Sequence, residues 1–360
     1  MFGQTVLVLQ GGGALGAYQM GVYQAIHESG IEPDWVVGTS IGAINGAIIA
    51  GNRPSCRLER LQAFWDQVAI GQDDPLSGMA DLFGRGLVNL ATILRGIPGF
   101  FTPNPSAFLG LDAPLGIEQA AYYSTAPLRQ TLNNLVDFDH LGTRATRLTV
   151  GAVNARSGQM RYFDSGRDDI GVDHVMASGA LPPAFPAVRI DGQPYWDGGL
   201  YSNNPVEVVL DDNPRRDSTI FSVTLWNPSD AEPTTLAGVT ARQKDIQYST
   251  RDRSHIHHQQ QIHRLRRVIR EMTVRLPPAM REAPEMQELS AWGCGTTMHL
   301  VRLQAPRLPG EDATKDIDFT AHGIRSRRQA GYDDAMRTLK RAPWLAPTHF
   351  TDGIVIHHMA

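Results

Sequence analysis

Residues 5–51 read TVLVLQGGGALGAYQMGVYQAIHESGIEPDWVVGTSIGAINGAIIAG, and this stretch decides the fold. Thr5 to Gln10 is a short run rich in β-branched residues that turns abruptly into Gly11-Gly12-Gly13. From Ala14 to Glu28 the apolar residues Leu15, Val22, Ala25 and Ile26 recur at helical spacing, and Gly30 supplies a stop. Asp34-Trp35-Val36-Val37 repeats the strand signal, and Ile41 to Ala50 reads as a second helix closed by Gly51-Asn52. Two strands joined by a helix in so short a span are most simply parallel neighbours with a right-handed crossover. The expected class is therefore α/β, with helices on both faces of a central, mostly parallel sheet.

Working outward, residues 57–70 read as an amphipathic helix through Leu58, Leu61, Phe64, Trp65 and Val68. Residues 72–125 form an irregular insertion with many Gly and Pro breaks, a kind of segment that serves as a lid, a binding surface or a plain connection. Within it, Gly86 to Phe101 reads as a loop plus helix. Strand signals return at Arg147 to Ala152 and Met160 to Phe163, a hairpin across the Asn154–Gly158 turn. His174 to Gly179 is a short helix, and Thr219 to Trp226 a further strand.

The composition changes after about Ala241: Arg242 to Arg281 holds ten Lys or Arg against three Asp or Glu. The spacing of Ile262, Leu265, Val268, Ile269 and Met272 predicts an amphipathic helix with a basic outer face. That places His255, His257, His258 and His263 on solvated surface. Met298 to Leu303 reads as a strand and Ser326 to Arg341 as a last helix. The organisation expected is a first domain over 1–235, carrying the insertion, and a basic helical extension over 236–360. The late strand can equally complete the first sheet.

The 360 residues carry a net charge of −4, 42% hydrophobic residues and two cysteines, Cys56 and Cys294. Such a chain buries a large core and is not disordered. Two cysteines cannot staple it, which points to a reducing compartment. The charge balance excludes a dedicated nucleic-acid binder. No signal-peptide pattern and no run of about 18 apolar residues is present, so the expectation is a soluble cytoplasmic protein.

Chemistry concentrates at two turns. Gly38-Thr39-Ser40-Ile41-Gly42 follows a strand and opens a helix, the context of a nucleophile elbow. A tight turn with an N-capping serine is the plainer alternative. Gly11-Gly12-Gly13-Ala14-Leu15-Gly16 also opens a helix after a strand. As a dinucleotide fingerprint it lacks the acidic residue at the end of the second strand: Gly38-Thr39 stands there, and Asp34 sits at the strand's start. As an oxyanion hole it needs only uncovered backbone N–H groups and a helix dipole behind them. Both turns lie at the C-terminal ends of adjacent parallel strands, so a nucleophile and an anion-stabilising loop would face one crevice.

Serine needs a base, and no histidine stands beside a strand-end turn. Tyr195-Trp196-Asp197-Gly198-Gly199 offers a carboxylate instead, although an Asp-Gly turn is common in its own right. Neither a metal nor a cofactor is called for. Leu181, Ala184, Phe185 and Val188, shortly before Asp197, are candidates for an apolar groove or for ordinary core.

These three motifs, in this order, resemble those of the patatin-like phospholipase family. The resemblance covers roughly residues 5–210, including Ser178 to Pro186 before the aspartate and Asn203-Asn204-Pro205 behind it. It implies a three-layer α/β/α fold and a catalytic dyad of Ser40 and Asp197 without histidine. It also implies an oxyanion hole from Gly11, Gly12 and Gly13, joined by Ile41, with Gly16, Gly38, Gly42, Gly198 and Gly199 shaping the turns. The implied reaction is acyl-ester hydrolysis of a lipid, with peripheral membrane contact as a further expectation. Leu15 stands where many members carry Arg or Lys. The basic region beyond Ala241 resembles the C-terminal extension of a bacterial subgroup. A histidine-dependent α/β hydrolase and a non-catalytic lipid-binding protein remain the rival readings.

Overall fold

The computed structural model describes residues 3–70, 95–110 and 112–359. Its strands are β1 (Gln4–Leu9), β2 (Trp35–Gly38), β3 (Thr102–Pro103), β4 (Tyr123–Ser124), β5 (Arg147–Asn154), β6 (Met160–Asp164), β7 (Val188–Ile190), β8 (Gln193–Asp197), β9 (Ser218–Thr224), β10 (Met298–Gln304) and β11 (Ile354–Met359). Nine of them form one sheet in the order β11-β10-β9-β1-β2-β5-β8-β7, with β6 alongside β5. The pairings from β11 across to β5 are parallel, while β6 and β8 run antiparallel to β5 and β7 antiparallel to β8.

Helices cover both faces of this sheet. They are α1 (Ala17–Glu28), α2 (Ile41–Ala50), α3 (Pro54–Val68), α4 (Ala126–Leu135), α5 (Phe138–Gly142), α6 (Val172–Ser178), α7 (Glu207–Leu210), α8 (Leu236–Arg275), α9 (Pro278–Arg281), α10 (Pro284–Ser290) and α11 (Ala321–Arg341). Because strand side chains alternate, β1 sends Leu7 and Leu9 into the core under α1, α2 and α3. Val6 and Val8 enter a second core with Val209 and Leu210 of α7 and Ile256 of α8. The three-layer α/β/α expectation is thus met, and β5–β6 is the hairpin read from the sequence.

Three elements differ from expectation. The first turn of the helix predicted from Ala14 is a separate 3₁₀ turn, Gly13–Gly16. Strands β8 and β11 carry no clear sequence signal, since β8 holds Pro194 and β11 alternates no polar face with its apolar one. The Gly86–Phe101 segment lies outside the described residues except for 95–101, where Ile97 bridges Phe101.

The inward face of α8 also departs from its apolar spacing. Leu265 and Met272 are exposed, whereas Asp245, Ser249, Ile256, Gln259 and His263 are buried at spacings of three, four and seven. His263 is therefore not solvated surface: its Nε2 bonds the Leu210 carbonyl at 2.8 Å, and burial lowers its pKa. Several of these inward polar groups find partners across the fold: Asp211 accepts both hydrogen bonds of the Gln259 Nε2 group at 2.9–3.0 Å, and Asp245 one from Lys315 at 2.7 Å.

Beyond residue 235 the chain returns to the same sheet. β10 pairs with β9, and α11 lies on α1 through Tyr18–Asp334, Arg328–Gln24 and Tyr332–Glu28 hydrogen bonds of 2.8–2.9 Å.

The β2–α2 turn is among the tightest approaches near the sheet's C-terminal edge. A Cβ on Gly42 would lie 2.2 Å from the Leu9 carbonyl oxygen, and one on Gly38 2.3 Å from the Gly42 carbonyl oxygen. Gly42→Ala is expected to destabilise the protein by about 3 kcal/mol or more, at or beyond the upper end of ordinary overpacking. Gly142→Ala, where nothing lies within 4 Å, is expected to be neutral or slightly stabilising. Urea unfolding of the two variants checks this.

Candidate active site

Parallel pairing sets Leu9 opposite Gly38, and the Thr39 N–H extends the ladder to the Leu9 carbonyl at 3.2 Å. The glycine-rich turn and the Ser40 turn therefore leave the sheet side by side. Ser40 adopts φ 57°, ψ −124°, a conformation that costs a non-glycine residue about 1–3 kcal/mol. Its N–H is shared by the carbonyl and hydroxyl oxygens of Ser178, each at 3.1 Å. The side chain is thereby held half-buried at the N-terminus of α2.

Asp197 ends β8 and comes to the same place through residues 178–180. Its N–H donates to the Ala180 carbonyl at 2.9 Å, so the segment that holds Ser40 also holds the aspartate. The residue is 1% exposed. Oδ1 accepts the Gly199 N–H at 2.7 Å, while Oδ2 has no hydrogen bond of ordinary geometry among the described residues. Burial pushes the Asp197 pKa up to about 7, against the opposing pull of the Ser40 hydroxyl and the Gly199 N–H.

In the glycine loop the structure corrects one expectation. Gly11 is not an available donor, because its N–H already bonds the Asn203 carbonyl at 3.0 Å. Its own carbonyl accepts Asn203 Nδ2 at 3.0 Å and Trp226 Nε1 at 2.8 Å. Gly11 thus anchors the loop. Gly12 and Gly13 are partly exposed beyond it, and no acceptor among the described residues takes their N–H groups or that of Ile41.

These groups share one cavity of about 230 Å³. Its lining joins Ser40, Asp197, Gly11 to Gly13 and Ile41 to the rings of Phe100, Phe101, Tyr123 and Phe185. Of the residues proposed for an apolar groove, Leu181, Ala184 and Phe185 line it and Val188 does not. Gly199 lines it, while Gly16, Gly38, Gly42 and Gly198 lie outside its lining. No histidine is among the described residues that line it.

Sequence reasoning missed several contributors. Tyr248 of α8, Asp316, Ile317 and Phe319 close the cavity from the C-terminal part of the chain. Gln10 is more than a strand end: its Oε1 accepts the N–H groups of Leu225 and Trp226, and its Nε2 reaches the Tyr248 carbonyl at 3.1 Å. Asn45, a polar residue in an otherwise apolar helix, was the legible hint. It donates to Gly16 O and Gln19 Oε1 and accepts from Trp65 Nε1.

A family model described as patatin-like phospholipase matches residues 7–210, and a second, described as patatin phospholipase, matches residues 246–350. Lysophospholipase NTE1 of Candida glabrata is 28% identical over 233 residues, which is 64% of this chain and 11% of that protein. Human patatin-like phospholipase domain-containing protein 6 is 44% identical over 64 residues, 18% of this chain and 5% of that protein. The chain therefore spans a small fraction of the length of the curated relatives it matches. Among solved structures, VipD from Legionella pneumophila gives a TM-score of 0.41 at 13% identity, covering 94% of this chain and 67% of that one. The Pseudomonas aeruginosa ExoU–SpcU complex gives 0.37 at 16% identity, covering 96% and 53%.

Asp197 carries a pH signature in stability. Its folded pKa, about 7, stands above the ordinary carboxylate value near 4. Relative to an unshifted group it favours the folded state fully below about pH 4, and that advantage is lost as pH rises through 7. Asp197→Asn does not ionise, so the variant is expected to gain stability on the wild type between pH 5 and pH 8. Urea unfolding at both values checks this, and a gap that does not widen with pH would refute it.

Proposed function

The chain belongs to the patatin-like phospholipase family, and on that premise we propose that it is a serine lipid acyl hydrolase whose nucleophile is Ser40 and whose base is Asp197. One observation carries the reading. A buried carboxyl, one of whose oxygens has no hydrogen bond of ordinary geometry among the described residues, stands against the hydroxyl of a serine held on a strained turn, in a cavity with no histidine among its described lining residues.

In the first step Ser40 Oγ attacks the ester carbonyl carbon and passes its proton to Asp197. The oxyanion is held by the N–H groups of Gly12, Gly13 and Ile41, with the α2 N-terminus adding its dipole. Collapse breaks the acyl–oxygen bond, and the alcohol leaves with the proton from Asp197. Water then attacks the acyl-serine, giving its proton to Asp197; the second collapse frees the acid and returns the proton to Ser40. A base with pKa near the working pH suits this alternation of roles.

The aromatic part of the lining would take the acyl chain, where burial favours it by about 0.8 kcal/mol per methylene. No described helix is long and apolar enough to cross a membrane. Contact with lipid would instead be made by Phe108 and Leu109, which are 85% and 70% exposed. They lie on the stretch between Phe101 and Tyr123, both cavity walls.

The decisive experiment is labelling with a fluorophosphonate probe, followed by mass spectrometry of the modified peptide. Modification is expected at Ser40, rising as pH passes through about 7 and Asp197 ionises, and absent in Ser40→Ala. Folded protein that stays unmodified, with vesicles present to open the site, would favour the lipid-binding reading. Labelling that survives in Asp197→Asn would move the base elsewhere. Separately, Phe108→Asp with Leu109→Asp is expected to slow hydrolysis of vesicle lipid several-fold relative to a soluble ester; an equal effect on both would reject the contact.

A further inference from the structure

The two glycine donors proposed for the oxyanion are backed by different parts of the chain. A Cβ on Gly12 would lie 2.9 Å from Leu225 Cδ1 and 3.2 Å from Trp226 Nε1, so the segment after β9 stands behind it. Gln10 and Gly11 tie that segment down. Gly13 has a different support. A Cβ there would lie 2.2 Å from the backbone carbonyl oxygen of Asp316, so the C-terminal part of the chain occupies the place a side chain would take. At φ 56° Gly13 is in the left-handed region, where glycine alone is at ease and another backbone can approach closely.

Asp316 lies on the 3₁₀ turn Lys315–Ile317, a single turn that needs fixing from outside. Lys244 of α8 supplies this. Its ammonium donates to the Ala313 carbonyl at 2.9 Å and to Asp316 Oδ1 and Oδ2 at 2.8 and 3.1 Å, so one group ties both ends of the 313–316 segment. The buried Lys315–Asp245 pair, 2.7 Å, adds a second tether to the next residue of the same helix. Lys244 is not among the described residues that line the cavity around Ser40, whereas Asp316 is. Any effect of Lys244 on the chemistry therefore passes through the turn, and from the turn to Gly13.

We propose that Lys244 is a positioning residue for the hydrolysis: by seating the 313–316 segment on Gly13, it fixes the direction in which the Gly13 N–H meets the oxyanion. The inference rests on the hydrolase reading. It gives α8 a part in the reaction although the helix lies far along the chain from both catalytic motifs. The agent is geometry rather than charge, because the Asp316 carboxylate already offsets the ammonium. Acylation and deacylation pass through tetrahedral states that use the same donors, so either step feels a displaced Gly13.

The test uses the full chain and a soluble ester, 4-nitrophenyl octanoate. Lys244→Met is expected to lower kcat about tenfold while KM stays within about twofold, the pattern of a donor misplaced for the transition state alone. The side chain is 34% exposed, so its removal strands no buried charge of its own. The midpoint of the kcat/KM profile, which burial of Asp197 sets at about pH 7, is expected not to move. A site that had merely loosened would admit water to Asp197 and carry the midpoint down toward the ordinary carboxylate range. Should Lys244→Met fail to fold, Asp316→Ala severs the same link from the other side and carries the same test. Where both fold, the double variant is expected to be no slower than the slower single variant. An unchanged kcat, a loss carried by KM, a displaced midpoint or additive losses would each overturn the role of Lys244 and leave the hydrolase standing. A folded wild type that neither cleaves the ester nor takes a fluorophosphonate label at Ser40 would overturn both.

Discussion

The inward commitment of Gln10 and Gly11 is the constraint on which the site depends. Gly11 spends its N–H on the Asn203 carbonyl and its carbonyl on Asn203 and Trp226. Gln10 ties the same turn to Leu225, Trp226 and Tyr248, while its own carbonyl accepts Gln19 Nε2 at 2.6 Å. Behind Gln19 stand Asn45 and then Trp65, so a chain of buried polar groups runs from α3 through α2 and α1 to the loop. Each link is satisfied, and breaking one strands its neighbours at about 1–3 kcal/mol apiece. With the loop pinned from inside, Gly12 and Gly13 are left lining the cavity with no acceptor among the described residues on their N–H groups, and Leu15 is buried behind them.

Opposite demands meet at Asp197. Burial makes its ionised form expensive, and only the Gly199 N–H and the Ser40 hydroxyl offset that. A carboxylate better supplied with donors would be more comfortable and less basic. The fold supports the arrangement by gripping the backbone instead: Ser178 and Ala180 fix the main chains of Ser40 and Asp197 from one short segment. Strain at Ser40 and desolvation at Asp197 are therefore carried by rigid neighbours.

The C-terminal part of the chain is structurally inseparable from this region. β10 and β11 extend the sheet, and residues 315–319 reach the cavity beside the glycine loop. Two ion pairs lock that segment to α8, Lys244–Asp316 at 2.8 Å and the buried Lys315–Asp245 at 2.7 Å. Buried pairs add little net stability, but they fix register strongly, since removing one partner leaves an uncompensated charge. Register matters here because the same helix turn places Tyr248 against Trp226, ring centroids 4.8 Å apart.

By itself the sequence determined the βαβ unit, the two turns at its C-terminal edge and the aspartate that follows, because these are local: strand run, glycine, helix period. Ser40 was legible since its strained turn demands glycines at fixed offsets, and Asp197 since it lies between an aromatic pair and two glycines. What only the tertiary structure decided is long-range. That Gly11 is an anchor, that Ser178 and Ala180 clamp both candidate catalytic residues, and that α8 buries a polar stripe all depend on partners tens or hundreds of residues away. Periodicity weighs apolar residues alone, so it misread the inward face of α8 and the burial of His263. A hydrogen bond across the fold leaves no mark in the local pattern, and the walls of the cavity are made of such contacts.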